Sequence, residues 1–149
     1  MIFEGNALKC TNKFDDAIKC YDKIIEINPS GSSAYFIKGD IYKEIKNYDE
    51  ALKCYEKVIE INPAENLINF AKGCLFHEMK KYSQAIQYFN LAIEFDKNNP
   101  NIYYNKGLTL KELNRLHEAI ECFDFAIKLD SSFIDAETNK QSLLRKLYN

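Results

Sequence analysis

The chain has 149 residues, 46% of them hydrophobic and 28% charged, with a net charge of −2, five glycines and three prolines. That length can bury a real core as one domain, and so few helix breakers favour a helix-rich chain. The near-neutral charge gives no general pull toward nucleic acid or an anionic membrane surface, and no apolar run is long enough to span a bilayer.

The chain opens with MIFEGNALKC, which has neither the basic start nor the long apolar stretch of a secretory leader. Five cysteines without a CxxC pair read as reduced thiols, so a cytoplasmic protein is expected. Gly5 and Leu8 mark a first predicted helix. A second follows in FDDAIKCYDKIIEINP at residues 14–29, and nearly the same stretch, YDEALKCYEKVIEINP, returns 34 residues later at 48–63. The same shift finds YSQAIQYFNLAIEFDK at 82–97 and LHEAIECFDFAIKLDS at 116–131. Four copies stand in register. Ala17, Ala51, Ala85 and Ala119 fill one column, and Tyr21, Tyr55, Phe89 and Phe123 another.

The stretches between copies repeat as well. Gly5, Gly39, Gly73 and Gly107 are followed three residues later by Leu8, Tyr42, Phe76 and Leu110. Each unit therefore carries two apolar stripes at helical spacing: Tyr35, Tyr42 and Ile45, then Ala51, Leu52, Tyr55, Val58 and Ile59 in the second. The polar turn KNYD between them offers Asp49 as a helix cap. Asn-Pro at 28–29 and 62–63 ends the second helices, because a residue before proline resists the α region. Glycine and alanine columns permit close helix approach, and Tyr55 and Phe89 are expected to fill the space toward the following unit. Residues 134–147 begin a further helix with Ala136, Leu143, Leu144 and Leu147 on one face, but Gln141 takes the glycine column and Glu137 the aromatic one. Such a helix covers the last unit and turns a polar back to water.

This order of aromatic, glycine, large apolar residue, then alanine, aromatic and proline resembles the tetratricopeptide repeat, whose period is also 34 residues. The resemblance implies an all-α fold: a right-handed α-solenoid superhelix of four helix-turn-helix repeats at approximately 1–31, 32–65, 66–99 and 100–133, closed by a capping helix at 134–147, as a single domain over 1–149. Lys38, Lys72 and Lys106 replace the leucine usual before the glycine, and Lys97 and Ser131 replace the closing proline.

Catalytic, cofactor and metal sites are not expected. Cys20, Cys54 and Cys122 share one repeat column and read as packing residues, and Cys74 with His77 is a lone pair without further ligands. No phosphate loop, nucleophile elbow or zinc-binding helix motif is present, so the chain reads as a non-enzyme. The resemblance places peptide binding on the first helices, which line the concave face in such proteins. There the candidate groove residues are Phe36, Asp40 and Lys43, then Phe70, Cys74 and His77, then Tyr104, Leu108 and Lys111. They form an aromatic ladder beside a basic one that also includes Lys9 and Arg145, which suits a protein or peptide ligand of mixed apolar and acidic character. The Lys-Asn-Arg clamp by which some family members hold acidic chaperone tails is absent: its places hold Ile2, Ile37 and Ala71, or Phe36, Ala71 and Asn105. Lys38, Lys72, Lys106 and Lys140 are expected to snorkel from the seam. Leu91 and Phe125 replace Lys23 and Lys57 in their column and read as packing at a seam, or alternatively as an apolar surface for a homo-oligomer. The function expected is a protein-interaction scaffold, with a self-assembling structural module as the alternative.

Overall fold

The computed structural model describes residues 1–65 and 67–148; the expected start of the third repeat, at residue 66, lies outside them. Among the described residues every regular element is a helix: α1 (Ile2–Cys10), α2 (Phe14–Ile27), α3 (Ser32–Glu44), α4 (Tyr48–Ile61), α5 (Leu67–Glu78), α6 (Tyr82–Phe95), α7 (Pro100–Glu112), α8 (Leu116–Leu129) and α9 (Ile134–Tyr148). The copied stretches are the even-numbered helices. The chain divides into two compact units, Met1–Ile68 and Asn69–Asn149.

In the first unit α1 pairs with α2 and α3 with α4, and α3 also packs back on α2. Ala17 and Tyr21 of α2 are buried with Ala34 and Ile41 of α3, flanked by Ile18, Ile24 and Ile37. In the second unit α7 lies between α6 and α8, and α9 covers α8. Its core joins Leu110, Ala119, Phe123 and Ala126 to Ala136 and Leu143 of α9. The apolar face read for the capping helix is thus the buried one.

The glycine column has a direct steric cause. A Cβ added to Gly39 would stand 2.6 Å from the Tyr55 ring, and one added to Gly73 would stand 2.6 Å from the Phe89 ring. Each aromatic therefore lies against the glycine of its own unit, not only toward the next as expected. Tyr21 does both, since its cluster includes Ala34 and Ile41 of the following unit.

Both ends of each helical hairpin are built alike. The turns inside the units pass through Asn12, Lys46, Lys80 and Asn114, all with φ between 57° and 61°. At each, two backbone bonds close the preceding helix: Lys46 N–H donates to Lys43 O, and Asn47 N–H to Tyr42 O. This is the Schellman ending, whose left-handed residue is usually glycine. In the second repeat the cap then lies two residues earlier than expected. Asn47, not Asp49, caps α4 by accepting from Glu50 N–H, and Asp49 sits in the first turn, where its charge complements the helix dipole.

The second helices end on Asn28, Asn62, Asp96 and Asp130, all outside the helical region, with φ from −132° to −138° and ψ from 83° to 99°. Proline follows only the first two. The side chains Asn62, Asp96 and Asp130 each accept a backbone N–H two residues on, from Ala64, Asn98 and Ser132. This local bond holds the chain out of the helix without help from proline.

Candidate functional site

The candidate residues stand on the first helices, three to a helix, at spacings that bring each triplet to one face. The aromatic at the head of each triplet is half-buried. Phe36 tilts on Tyr55 with ring centroids 6.0 Å apart, Phe70 on Phe89 at 6.1 Å, and Tyr104 on Phe123 at 5.8 Å. Tyr104 also meets Phe133 at 4.8 Å. The ladder therefore leans on the core ring of its own unit and keeps one side toward solvent.

The middle residue of each triplet answers that same ring. Asp40 Oδ1 accepts from the Tyr55 hydroxyl at 2.6 Å, as Asn6 Oδ1 accepts from Tyr21 at 2.7 Å. Where the column changes to Phe89 and Phe123, the equivalent positions hold Cys74 and Leu108. Leu108 packs with the Phe123 cluster.

Most of the basic ladder is already engaged within the protein. Lys9 pairs with Glu44 at 3.1 Å, Lys43 with Asp40 at 3.7 Å, and Lys111 donates to Asn139 Oδ1 at 3.0 Å. His77 Nδ1 lies 2.9 Å from the hydroxyl of fully buried Thr109, which itself donates to Asn105 O. That network assigns the ring proton to Nδ1. Burial lowers the His77 pKa below its usual value, against the opposing pull of Glu112 and Glu78. Among the described residues Arg145 makes no ion pair.

The second lysine column reaches between units in two of its members: Lys38 to Asp22 of the preceding repeat, and Lys140 to Asp124 at 2.7 Å. Lys72, only 7% exposed, lies over the Tyr88 ring.

The cysteine column packs as read. Cys54 and Cys122 are buried and Cys20 half-buried. Burial pushes the Cys54 thiol up to about 11 and raises that of Cys122, so both are protonated at neutral pH and lack the thiolate a nucleophile needs. Among the described residues no three His, Cys, Asp or Glu side chains gather as metal ligands, and no helix is long and apolar enough to cross a membrane.

One feature was not read from the sequence, and a second favours one of two readings. In the first unit, a cavity of about 230 Å³ is lined by Ile2, Ile24, Ala34 and Ile37, and one of about 160 Å³ by Phe36, Ile37, Val58 and Leu67. They share Ser33 and Ile37 and adjoin Phe36. The repeat column of Ile37 is Phe3, Ala71 and Asn105 elsewhere, so periodicity alone hides it. The second feature is the pair read as marginal packing at a seam or as an apolar surface: Leu91 and Phe125 are 41% and 51% exposed, with Phe95 and Leu129 also on the surface. Phe125 stacks on Tyr103 at 5.4 Å, which leaves its other face bare.

Models of the tetratricopeptide repeat match residues 3–30, 32–64 and 100–133, and a TPR repeat model matches 73–114. No curated protein sequence matches the chain. Among solved structures, MamA from Desulfovibrio magneticus RS-1 is similar with a TM-score of 0.83 at 17% identity, over 95% of this chain and 81% of that one. YrrB, described as a TPR protein with an unusual peptide-binding site, is similar with a TM-score of 0.73 at 24% identity, over 97% and 75%. The first TPR of Spaghetti (RPAP3), bound to the HSP90 peptide SRMEEVD, is similar with a TM-score of 0.73 at 22% identity, over 79% and 94%. At these identities the likeness is one of fold: an all-α solenoid of helical hairpins.

Proposed function

This chain belongs to the tetratricopeptide repeat family, and we propose that it is a non-catalytic scaffold, one repeat domain over residues 1–149, that binds an extended peptide segment of a partner protein along its first helices. The observation that carries this reading is the pair of adjoining apolar cavities sharing Ile37 beside the half-exposed Phe36. Two such pockets in a row accept alternate apolar side chains of an extended strand, with Ser33 and the rims of Asn28 and Glu65 available to its backbone. In the second unit, Phe70, Cys74 and His77, and Tyr104, Leu108 and Lys111, are the candidates for the same role. The acidic character expected of the ligand has less support than the apolar character, because Lys9, Lys43 and Lys111 already have internal acceptors. A cytoplasmic location, where thiols such as Cys54 stay reduced, belongs to the same proposal.

Selection of binders from a random peptide library, followed by amide chemical-shift mapping, tests it. Shifts centred on Ser33, Phe36, Ile37, Phe70 and Tyr104 are the expected result. Shifts confined to α2, α4, α6 and α8 overturn it.

A second reading, assembly with further copies of the chain, is favoured by the apolar residues left bare at the surface, Leu91 and Phe125 on the second helices and Phe3 on α1.

A further inference from the structure

We propose that the two ends of the chain are complementary, so that the first turn of α1 in one copy docks in the groove between α8 and α9 of the next. The inference rests on the assembly reading and specifies its contact.

The donor end is α1. Ile2 is 54% exposed and Phe3 91% exposed, the largest value among the exposed large apolar residues. Their repeat-column equivalents in the second unit of the sequence, Phe36 and Ile37, are half-buried, and Ile2 itself lines the cavity of about 230 Å³ beside Ile37 while Phe3 does not. Glu4 follows directly and makes no ion pair among the described residues. Its column is otherwise Lys38, Lys72, Lys106 and Lys140, two of which reach back to an acidic residue of the preceding second helix. Glu4 inverts that rule. It therefore suits a basic acceptor and disfavours the ordinary stacking of α1 on any of the acidic second helices.

The receiving end is a cavity of about 610 Å³ with an apolar floor of Ile127, Phe133 and Ile134, rimmed by Glu137, Gln141 and Arg145. Glu137 is occupied by the Gln141 side-chain amide at 2.8 Å. Arg145 is exposed and, like Glu4, unpaired among the described residues. An apolar pair next to a free carboxylate thus meets an apolar floor next to a free guanidinium, a bidentate geometry that sets register as well as sign. Because the two surfaces differ, the contact is heterologous. Repeated from copy to copy, it propagates into chains or a ring.

Sedimentation equilibrium over a roughly hundredfold concentration range, with Phe3→Lys and Arg145→Glu variants, tests this. Both positions are exposed, so both variants fold, which circular dichroism checks. For the unaltered chain the weight-average mass rises past two copies, without a plateau for open chains or to the mass of a ring of three or more copies. Each variant alone stays at the monomer mass. Mixed in equal amounts, they combine through the one intact surface each retains, and the mass stops at two chains. A strictly monomeric unaltered chain overturns both this inference and the assembly reading. A chain that assembles while either variant assembles equally well overturns this inference alone. A twofold dimer lost in Phe3→Lys but kept in Arg145→Glu also overturns it, in favour of α1 pairing with itself.

Discussion

The Tyr55 hydroxyl donates to Asp40 Oδ1 at 2.6 Å, and this one bond ties a core ring to a residue that sequence reasoning assigned to a binding groove. The first two units use the Tyr–Asn/Asp pair, and the last uses Phe123 with Leu108. Exchanging one solution for the other is predicted to be nearly neutral when both halves change. Tyr55→Phe and Asp40→Leu singly should each cost about 1 kcal/mol and the double variant close to nothing, giving a coupling of about 2 kcal/mol in urea titrations. Additive single effects exclude the pairing.

Gly73→Ala introduces a methyl group 2.6 Å from the Phe89 ring, a contact that cannot be relieved at a flexible chain end. Alanine's better helix propensity recovers under about 1 kcal/mol, so a net loss of about 1–3 kcal/mol is expected. Gly5→Ala meets the Tyr21 ring at 2.9 Å, and its loss should be smaller by the same urea titration.

Lys46 and Lys80 occupy left-handed backbone positions that lysine rarely adopts. Lys46→Gly and Lys80→Gly are each expected to raise stability by about 0.5–1 kcal/mol, after glycine's larger entropy in the unfolded chain is deducted. Both side chains are exposed, so no contact is lost. Thermal melts that move downward for both would refute the strain.

His77 is depressed in the folded state by burial, so its sign is that of a group stabilising the fold while neutral. Its contribution is complete above the unfolded histidine value of about 6.5 and is lost as pH falls through the lowered folded value. Between about pH 7.5 and about pH 5.5 the unaltered chain should lose stability more steeply than His77→Gln. Equal slopes would show that the ring charges without penalty.

Cys10 is exposed, whereas Cys54 and Cys122 are buried with raised thiol pKa values. Alkylation with iodoacetamide at neutral pH, followed by peptide mass mapping, should label Cys10 first and Cys54 and Cys122 only on unfolding.

The fold was legible because a strict spacing of 34 residues makes every column a repeated experiment on the same environment. Ala119, Phe123 and Gly107 could be placed from Ala51, Tyr55 and Gly39 alone. The candidate site was legible only in part, for the same reason. Column reasoning finds what the units share, so it selected Phe36, Phe70 and Tyr104, which the core also uses. It did not find the acceptors of Lys9 and Lys111, because Glu44 and Asn139 stand on the next first helix. The cavities around Ile37 depend on side chains that differ between copies, and the bare face of Phe125 depends on how Tyr103 is stacked.

The second helices stop at Asp96 and Asp130 with the same backbone as at Asn28 and Asn62, although lysine and serine stand where the earlier copies have proline. Proline, the most visible letter of the repeated stretch, is dispensable at this corner, since Asp96 and Asp130 make the same turn without it by accepting a backbone N–H two residues on. A search keyed to proline would find two units here and lose two. One keyed to a short acidic or amide side chain at that position would recover all four, and in diverged arrays it would tell a degraded copy from a working one.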